Sequence, residues 1–242
     1  MNILLPQGTG TGQVGMAGSP ARTTYPVLYL LHGWSDDDSI WMRRTSIERY
    51  VADRGIIVIM PRVELSYYHN MATGMRFWDF IAEELPALCR QWFPISEKRE
   101  ETYAAGLSMG GYGAFRLGLN FPERYAAVAS LSGALDIREL MQREQPPGRM
   151  ARQEAIFGPG LKLLNTHPDL FNLCDALASL STPLPRFYQW CGTEDFLYPG
   201  NRKFSRHATQ VGLDLTTREG PGDHSWEHWD REIIPVLDWL CE

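Results

Sequence analysis

The sequence predicts a three-layer α/β sandwich built on a mostly parallel central sheet. Three observations carry that prediction. Short apolar runs alternate along the chain with segments of helical length. Several of those runs are nearly continuous, the pattern of strands covered on both faces. One of them, Thr102–Leu107, breaks at a serine flanked by glycines and then resumes as a helix-like segment, as a sharp strand-to-helix turn requires.

The elements follow in order. The chain opens in a strand-like run at 2–5, and residues 7–20, rich in Gly and Thr, read as a loop. A strand is predicted at Val27–Leu31, a helix at 46–54, a strand at 56–60 and a helix at 78–93. The strand Thr102–Leu107 leads into a helix at 108–120, and a strand follows at 126–131. A strand at 186–191, a helix at 201–212, a strand at 213–218 and a helix at 224–240 complete the alternation. The segment 135–182 stands apart. It holds Pro146-Pro147-Gly148, Gly158-Pro159-Gly160 and short helical pieces such as 168–180. It is too long for a plain connection and reads as a lid-like insertion over the active face. No internal repeat or low-complexity tract interrupts the chain, so residues 1–242 suit one domain.

Composition narrows the function classes. Hydrophobic residues make up 44% of the chain, enough for a sizeable core. The net charge is −6 and the Lys and Arg residues are scattered, which argues against a nucleic-acid surface. No apolar run approaches membrane-spanning length. The N-terminus lacks a basic segment followed by an apolar one, so no signal peptide is predicted. Cys89, Cys174, Cys191 and Cys241 form no C-x-x-C pair and no zinc spacing. They read as reduced, mostly buried thiols, and the expected location is the cytoplasm. The sequence leaves a homo-oligomer open.

The chemistry gathers around Gly106-Leu107-Ser108-Met109-Gly110, a G-x-S-x-G nucleophile elbow. A serine hydroxyl is a poor nucleophile until a base takes its proton, and that base needs an anion to fix its tautomer. His224 is the candidate base, because Gly220-Pro221-Gly222-Asp223-His224 forms a loop between the last strand and the last helix. Asp195 is the candidate acid, just beyond the carboxyl end of the 186–191 strand, where ligands and catalytic groups gather in open α/β sheets. Glu194 is its competitor. Oxyanion donors are expected at the backbone N–H of Met109 and of Trp34, with Gly33 allowing close approach of the substrate. Phe196 and Trp226 adjoin these positions and are the pocket candidates.

Two other patterns point elsewhere and lack their context. Gly10-Thr11-Gly12-Gln13-Val14-Gly15 matches a dinucleotide fingerprint, but Gly18, Pro20 and Pro26 follow where a helix must open. His224-Ser225-Trp226-Glu227-His228 matches a zinc-protease pattern, but the preceding Gly-Pro-Gly puts His224 ahead of the helix. No metal is therefore expected.

Taken together, Val27–Leu31 with His32-Gly33, Trp41-Met42-Arg43-Arg44-Thr45, the elbow through Gly113, Ser132-Gly133-Ala134, Trp190-Cys191-Gly192-Thr193-Glu194-Asp195-Phe196-Leu197-Tyr198 and Gly222-Asp223-His224-Ser225-Trp226 resemble the α/β-hydrolase superfamily. More narrowly, they are similar to the esterase D and tributyrin esterase group, with S-formylglutathione hydrolases and antigen 85 mycolyltransferases as relatives. The resemblance runs from about residue 26 to the C-terminus. It implies a serine carboxylesterase acting on a small-molecule ester of short acyl chain, without a cofactor. It carries Ser108, Asp195 and His224 over as the triad, and Trp34 and Met109 as oxyanion donors. Ser35-Asp36-Asp37-Asp38 replaces the cysteine-bearing loop of S-formylglutathione hydrolases, and the family's additional N-terminal strand is missing. Sugar-directed acetyl or feruloyl esterases and a glutathione thioesterase are the alternatives.

Overall fold

The structure is a computed structural model that describes residues 1–8, 18–143, 147–162, 169–178 and 183–242. Seven strands form one sheet: β1 (Asn2–Leu4), β2 (Val27–Leu31), β3 (Ile57–Met60), β4 (Thr102–Leu107), β5 (Ala127–Leu131), β6 (Arg186–Gly192) and β7 (Leu215–Gly220). Their spatial order is β1-β3-β2-β4-β5-β6-β7. Only β1 runs antiparallel, with Asn2 opposite Met60; the other pairs are parallel. The G-x-G-x-x-G at 10–15 lies outside the described residues.

The near-continuous apolar strands have the cause expected of them. Along β2, Val27, Tyr29 and Leu31 enter one apolar core, while Leu28 and Leu30 enter a second on the opposite face. The first core is closed by α4 (Leu85–Trp92), α5 (Met109–Asn120), α8 (Leu170–Ala178) and α9 (Tyr198–Gln210). The second is closed by α1 (Ile40–Arg44), α2 (Ile47–Val51) and α10 (Trp226–Leu240). The three layers are thus helices, sheet and helices.

Apart from shifts of a few residues at element ends, the elements differ from the sequence reading as follows. Helix α1 was not foreseen; its Trp41 is buried and donates Nε1–H to the Leu31 carbonyl at 3.1 Å. The 78–93 helix is not regular. The one-turn α3 (Phe77–Asp79) and a π turn over Phe80–Glu84 precede α4. Pro86, at the head of α4, has no N–H for the ladder, which favours such a break. Helix α9 begins three residues early, with Pro199 in its first turn, where a fixed φ is tolerated. Leu213 belongs to the end of that helix rather than to β7. Its N–H bonds the Ala208 carbonyl at 2.9 Å and the Gly212 N–H bonds Thr209, a Schellman closure.

Within the 135–182 segment lie α6 (Ile137–Gln142), α7 (Pro147–Phe157) and α8. Ala72 and Thr73 N–H groups bond the carbonyls of Ile156 and Ala155 at 2.9 and 3.2 Å, tying α7 to the 70–76 loop. All four cysteines are free thiols, and only Cys241 is exposed. Burial pushes the Cys174 thiol up to about 12. No helix is long and apolar enough to cross a membrane among the described residues.

Candidate active site

Ser108 stands between β4 and α5 with φ 52° and ψ −116°. A non-glycine residue there costs on the order of 1–3 kcal/mol and persists only when its surroundings over-determine it. They do so here. The Ser108 N–H bonds the Leu131 carbonyl at 2.9 Å, and the Ser108 carbonyl accepts from Ala134 at 3.0 Å and Tyr112 at 3.2 Å. The flanking glycines are required by contact. A Cβ on Gly106 would meet Gly110 backbone at 2.5 Å, and one on Gly110 would meet the Leu31 carbonyl oxygen at 2.4 Å.

The three side chains chosen from the sequence meet. Ser108 Oγ lies 3.0 Å from His224 Nε2, and His224 Nδ1 lies 2.7 Å from Asp195 Oδ2. Asp195 is 3% exposed and also accepts the Leu197 N–H at 2.8 Å through Oδ1. A carboxylate at Nδ1 sets the histidine tautomer, leaving Nε2 free to accept from the serine hydroxyl. The His224 ring is held between two aromatic rings, Phe196 at 4.7 Å and Trp229 at 4.8 Å between centroids. Trp229 is itself anchored by Nε1–H donation to Ser132 Oγ at 3.1 Å.

Glu194 has a different place. Its carboxylate accepts the Gly222 N–H at 2.6 Å, while its own N–H bonds the Gly222 carbonyl at 3.1 Å. Those backbone contacts, with Thr193, hold its carboxyl below the usual carboxylate range. The Thr193 N–H bonds Gly220, and a Cβ on Gly192 would meet the Gly222 oxygen at 2.0 Å. The loops carrying Asp195 and His224 therefore touch backbone to backbone.

Met109 is the first residue of α5, directly after Ser108, so its N–H has no partner within the helix. Gly33 is packed against the elbow; a Cβ there would come within 3.6 Å of Ser108 Cβ. Trp34 lines a cleft of about 240 Å³ together with Ser108, His224 and Phe196. Phe196 is 54% exposed at its mouth. Trp226 is placed apart from the cleft: its ring packs at 5.2 Å against Trp41 and 5.3 Å against Trp229, behind the histidine. His228 pairs with Asp223 at 3.5 Å and packs on Trp190.

Sequence reasoning missed the support for the His32-Gly33-Trp34 loop. His32 is buried, with Nδ1–H donating to the Gly33 carbonyl at 2.8 Å and Nε2 accepting the Val63 N–H at 3.1 Å. Burial holds its pKa below the usual histidine value. The Tyr68 hydroxyl donates to the His32 carbonyl at 2.9 Å. Tyr68 and Tyr67 have φ of 55° and 50°, and Arg116 Nη1 donates to the Tyr68 carbonyl at 2.9 Å. Arg116 is 2% exposed and sits 3.7 Å over the Trp78 ring. Removing the Tyr68 hydroxyl loses a buried hydrogen bond of about 1–1.5 kcal/mol. Tyr68→Phe should therefore lower the unfolding free energy by about 1–1.5 kcal/mol, read by denaturant or thermal unfolding.

The Esterase family profile matches residues 3–240. The chain belongs to that family. The esterase is 30% identical over 220 residues to an acetyl esterase of Caldicellulosiruptor saccharolyticus, covering 89% of this chain and 83% of that one. Two solved structures from Staphylococcus aureus are each 32% identical, covering 99% of this chain and 91% of theirs. One is the fluorophosphonate-binding serine hydrolase F, substrate bound, with a TM-score of 0.85. The other is an S-formylglutathione hydrolase, apoenzyme, with a TM-score of 0.84. The mostly parallel sheet with helices on both sides is the α/β-hydrolase fold of these neighbours, and the chain is a carboxylic ester hydrolase of the serine hydrolase type.

Proposed function

We propose that the esterase hydrolyses short-chain acyl esters through a Ser108 acyl-enzyme, with His224 as base and acid and Asp195 as its orienting anion. The observation that carries this reading is the unbroken contact from Ser108 Oγ to His224 at 3.0 Å and on to Asp195 at 2.7 Å. His224 takes the Ser108 proton as Oγ bonds the ester carbonyl carbon. The Trp34 and Met109 N–H groups hold the oxyanion. His224 then gives the proton to the departing alcohol. A water attacks the acyl-enzyme by the same route in reverse and restores Ser108. No step calls for a cofactor.

The size of the cleft supports a small substrate. At about 240 Å³ it falls below the roughly 300–1,000 Å³ typical of sites for drug-sized ligands. Leu140, Met141 and Ile156 supply apolar wall. A p-nitrophenyl ester series from acetate to palmitate should peak at the shortest acyl chains. A rate that climbs steadily with chain length would overturn the short-chain reading. Activity should rise with pH, because only the neutral imidazole can accept the serine proton. A profile flat from about pH 5 to 9 would argue against a histidine base.

Thioester hydrolysis is the second reading, supported by the 32% identity to an S-formylglutathione hydrolase. Comparing S-formylglutathione with p-nitrophenyl formate separates the two. A large preference for the thioester would favour that reading, in spite of the Ser35-Asp36-Asp37-Asp38 loop.

A further inference from the structure

Two polar side chains in the cleft have no part in the mechanism above. Gln153, on α7, is 4% exposed, and Tyr67, on the loop after β3, is also buried; both line the cleft that holds Ser108. Among the described residues, no hydrogen bond reaches the Gln153 amide or the Tyr67 hydroxyl. Neither is among the buried polar atoms sealed from the cleft. Their polar ends are open to the cleft and so to water in the free protein; a bound ligand that displaces that water must supply the partner or leave them unpaired at a cost of about 1–3 kcal/mol. Leucine at position 153 would fill the same wall beside Leu140, Met141 and Ile156 without that cost. The missing partner is therefore sought in the ligand.

The backbone points the same way. Tyr67 has φ 50°, strained for an aromatic residue, and is pinned there by its N–H on Met109 Sδ at 3.3 Å and by Arg116 on the next carbonyl. That backbone fixes the place of the Tyr67 side chain in the cleft wall. Burial raises Tyr67 to about 12, against the pull of nearby Arg149, so the hydroxyl keeps its proton at neutral pH. A tyrosine hydroxyl and a glutamine amide each both donate and accept. Such a pair matches a ligand hydroxyl, which also does both, better than a carboxylate, which only accepts.

We propose that Tyr67 and Gln153 form a hydrogen-bonding subsite that selects esters bearing a hydroxyl near the ester bond over their plain alkyl counterparts. The inference rests on the ester-hydrolase reading of Ser108. The hydroxyl can belong to the alcohol, as in a polyol or sugar ester, or to the acyl chain, as in a hydroxy acid ester.

Two matched pairs separate these sources: glyceryl monoacetate against propyl acetate, and p-nitrophenyl 3-hydroxybutyrate against p-nitrophenyl butyrate. In the wild type, kcat/KM for the hydroxyl-bearing member should exceed that of its partner by about 10–100-fold in one pair, and that pair identifies the source. In Gln153→Leu and in Tyr67→Phe the ratio should fall about tenfold or more toward one, chiefly through KM. Melting curves and labelling of Ser108 by a fluorophosphonate confirm that each variant is folded; if one is not, the other decides. A wild-type ratio near one in both pairs, or a ratio kept in a folded variant, overturns the subsite while leaving the esterase reading intact. Absence of turnover on the plain esters as well overturns both.

Discussion

Ser108→Ala should lower kcat for p-nitrophenyl acetate by on the order of 10⁶-fold and leave the melting temperature almost unchanged. The substitution removes the atom that bonds the acyl group, so no acyl-enzyme forms. What survives is acceleration over water of on the order of 10³–10⁴, from the oxyanion N–H groups and binding alone. Alanine inherits the φ of 52° and the same backbone bonds to Leu131, Ala134 and Tyr112, so the elbow is neither relaxed nor further strained. Steady-state kinetics beside a thermal melt tests both halves. A folded variant with more than a hundredth of wild-type activity would mean that the nucleophile lies elsewhere.

Asp195→Asn should reduce kcat by on the order of 10⁴-fold with the fold retained. The asparagine can keep its oxygen on the Leu197 N–H, which Asp195 now accepts at 2.8 Å. Its NH₂ then faces His224 Nδ1, where the carboxylate stood at 2.7 Å. An amide donor there forces the ring proton onto Nε2, and the ring can no longer take the proton of Ser108. The substitution also removes the anion that stabilises the imidazolium. The loss should appear in kcat rather than KM, because substrate binding does not use Asp195. A loss smaller than about tenfold would transfer the orienting role to another group.

The parts legible from sequence were those whose constraints are local. The elbow is written in a five-residue pattern because Gly106 and Gly110 crowd each other within it, although Gly110 also abuts the Leu31 carbonyl of β2 from far off in the chain. His224 and Asp195 could be placed because each follows the end of a predicted strand, and the parallel sheet delivers strand ends to one edge. Glu194 and Asp195 could not be separated decisively by position. The side chains point oppositely, one to the Gly222 N–H and the other to His224. Trp226 misled because adjacency in sequence to His224 says nothing of direction at a helix N-terminus; its ring turns toward Trp41. The Arg116–Tyr68–His32 support was invisible for another reason. It joins residues 48 and 36 positions apart through backbone carbonyls, which leave no residue-type signature. Gln153 reads in sequence as one polar residue of a polar helix. Only the packing of α7 over the cleft turns it inward.

The backbone contact between the segments around Asp195 and His224 has a consequence for how this enzyme can be altered. Glu194 and Gly222 exchange two hydrogen bonds, and Gly192 leaves no room between the chains. An insertion or deletion in one segment displaces the other, so the two tolerate length changes only in concert. Anyone transplanting the acid-bearing turn from a relative must bring the histidine turn with it, as a single cassette. The 135–182 segment meets the acid-bearing turn through a side chain instead: among the described residues, Arg143 Nη1 donates to the Phe196 carbonyl at 3.3 Å.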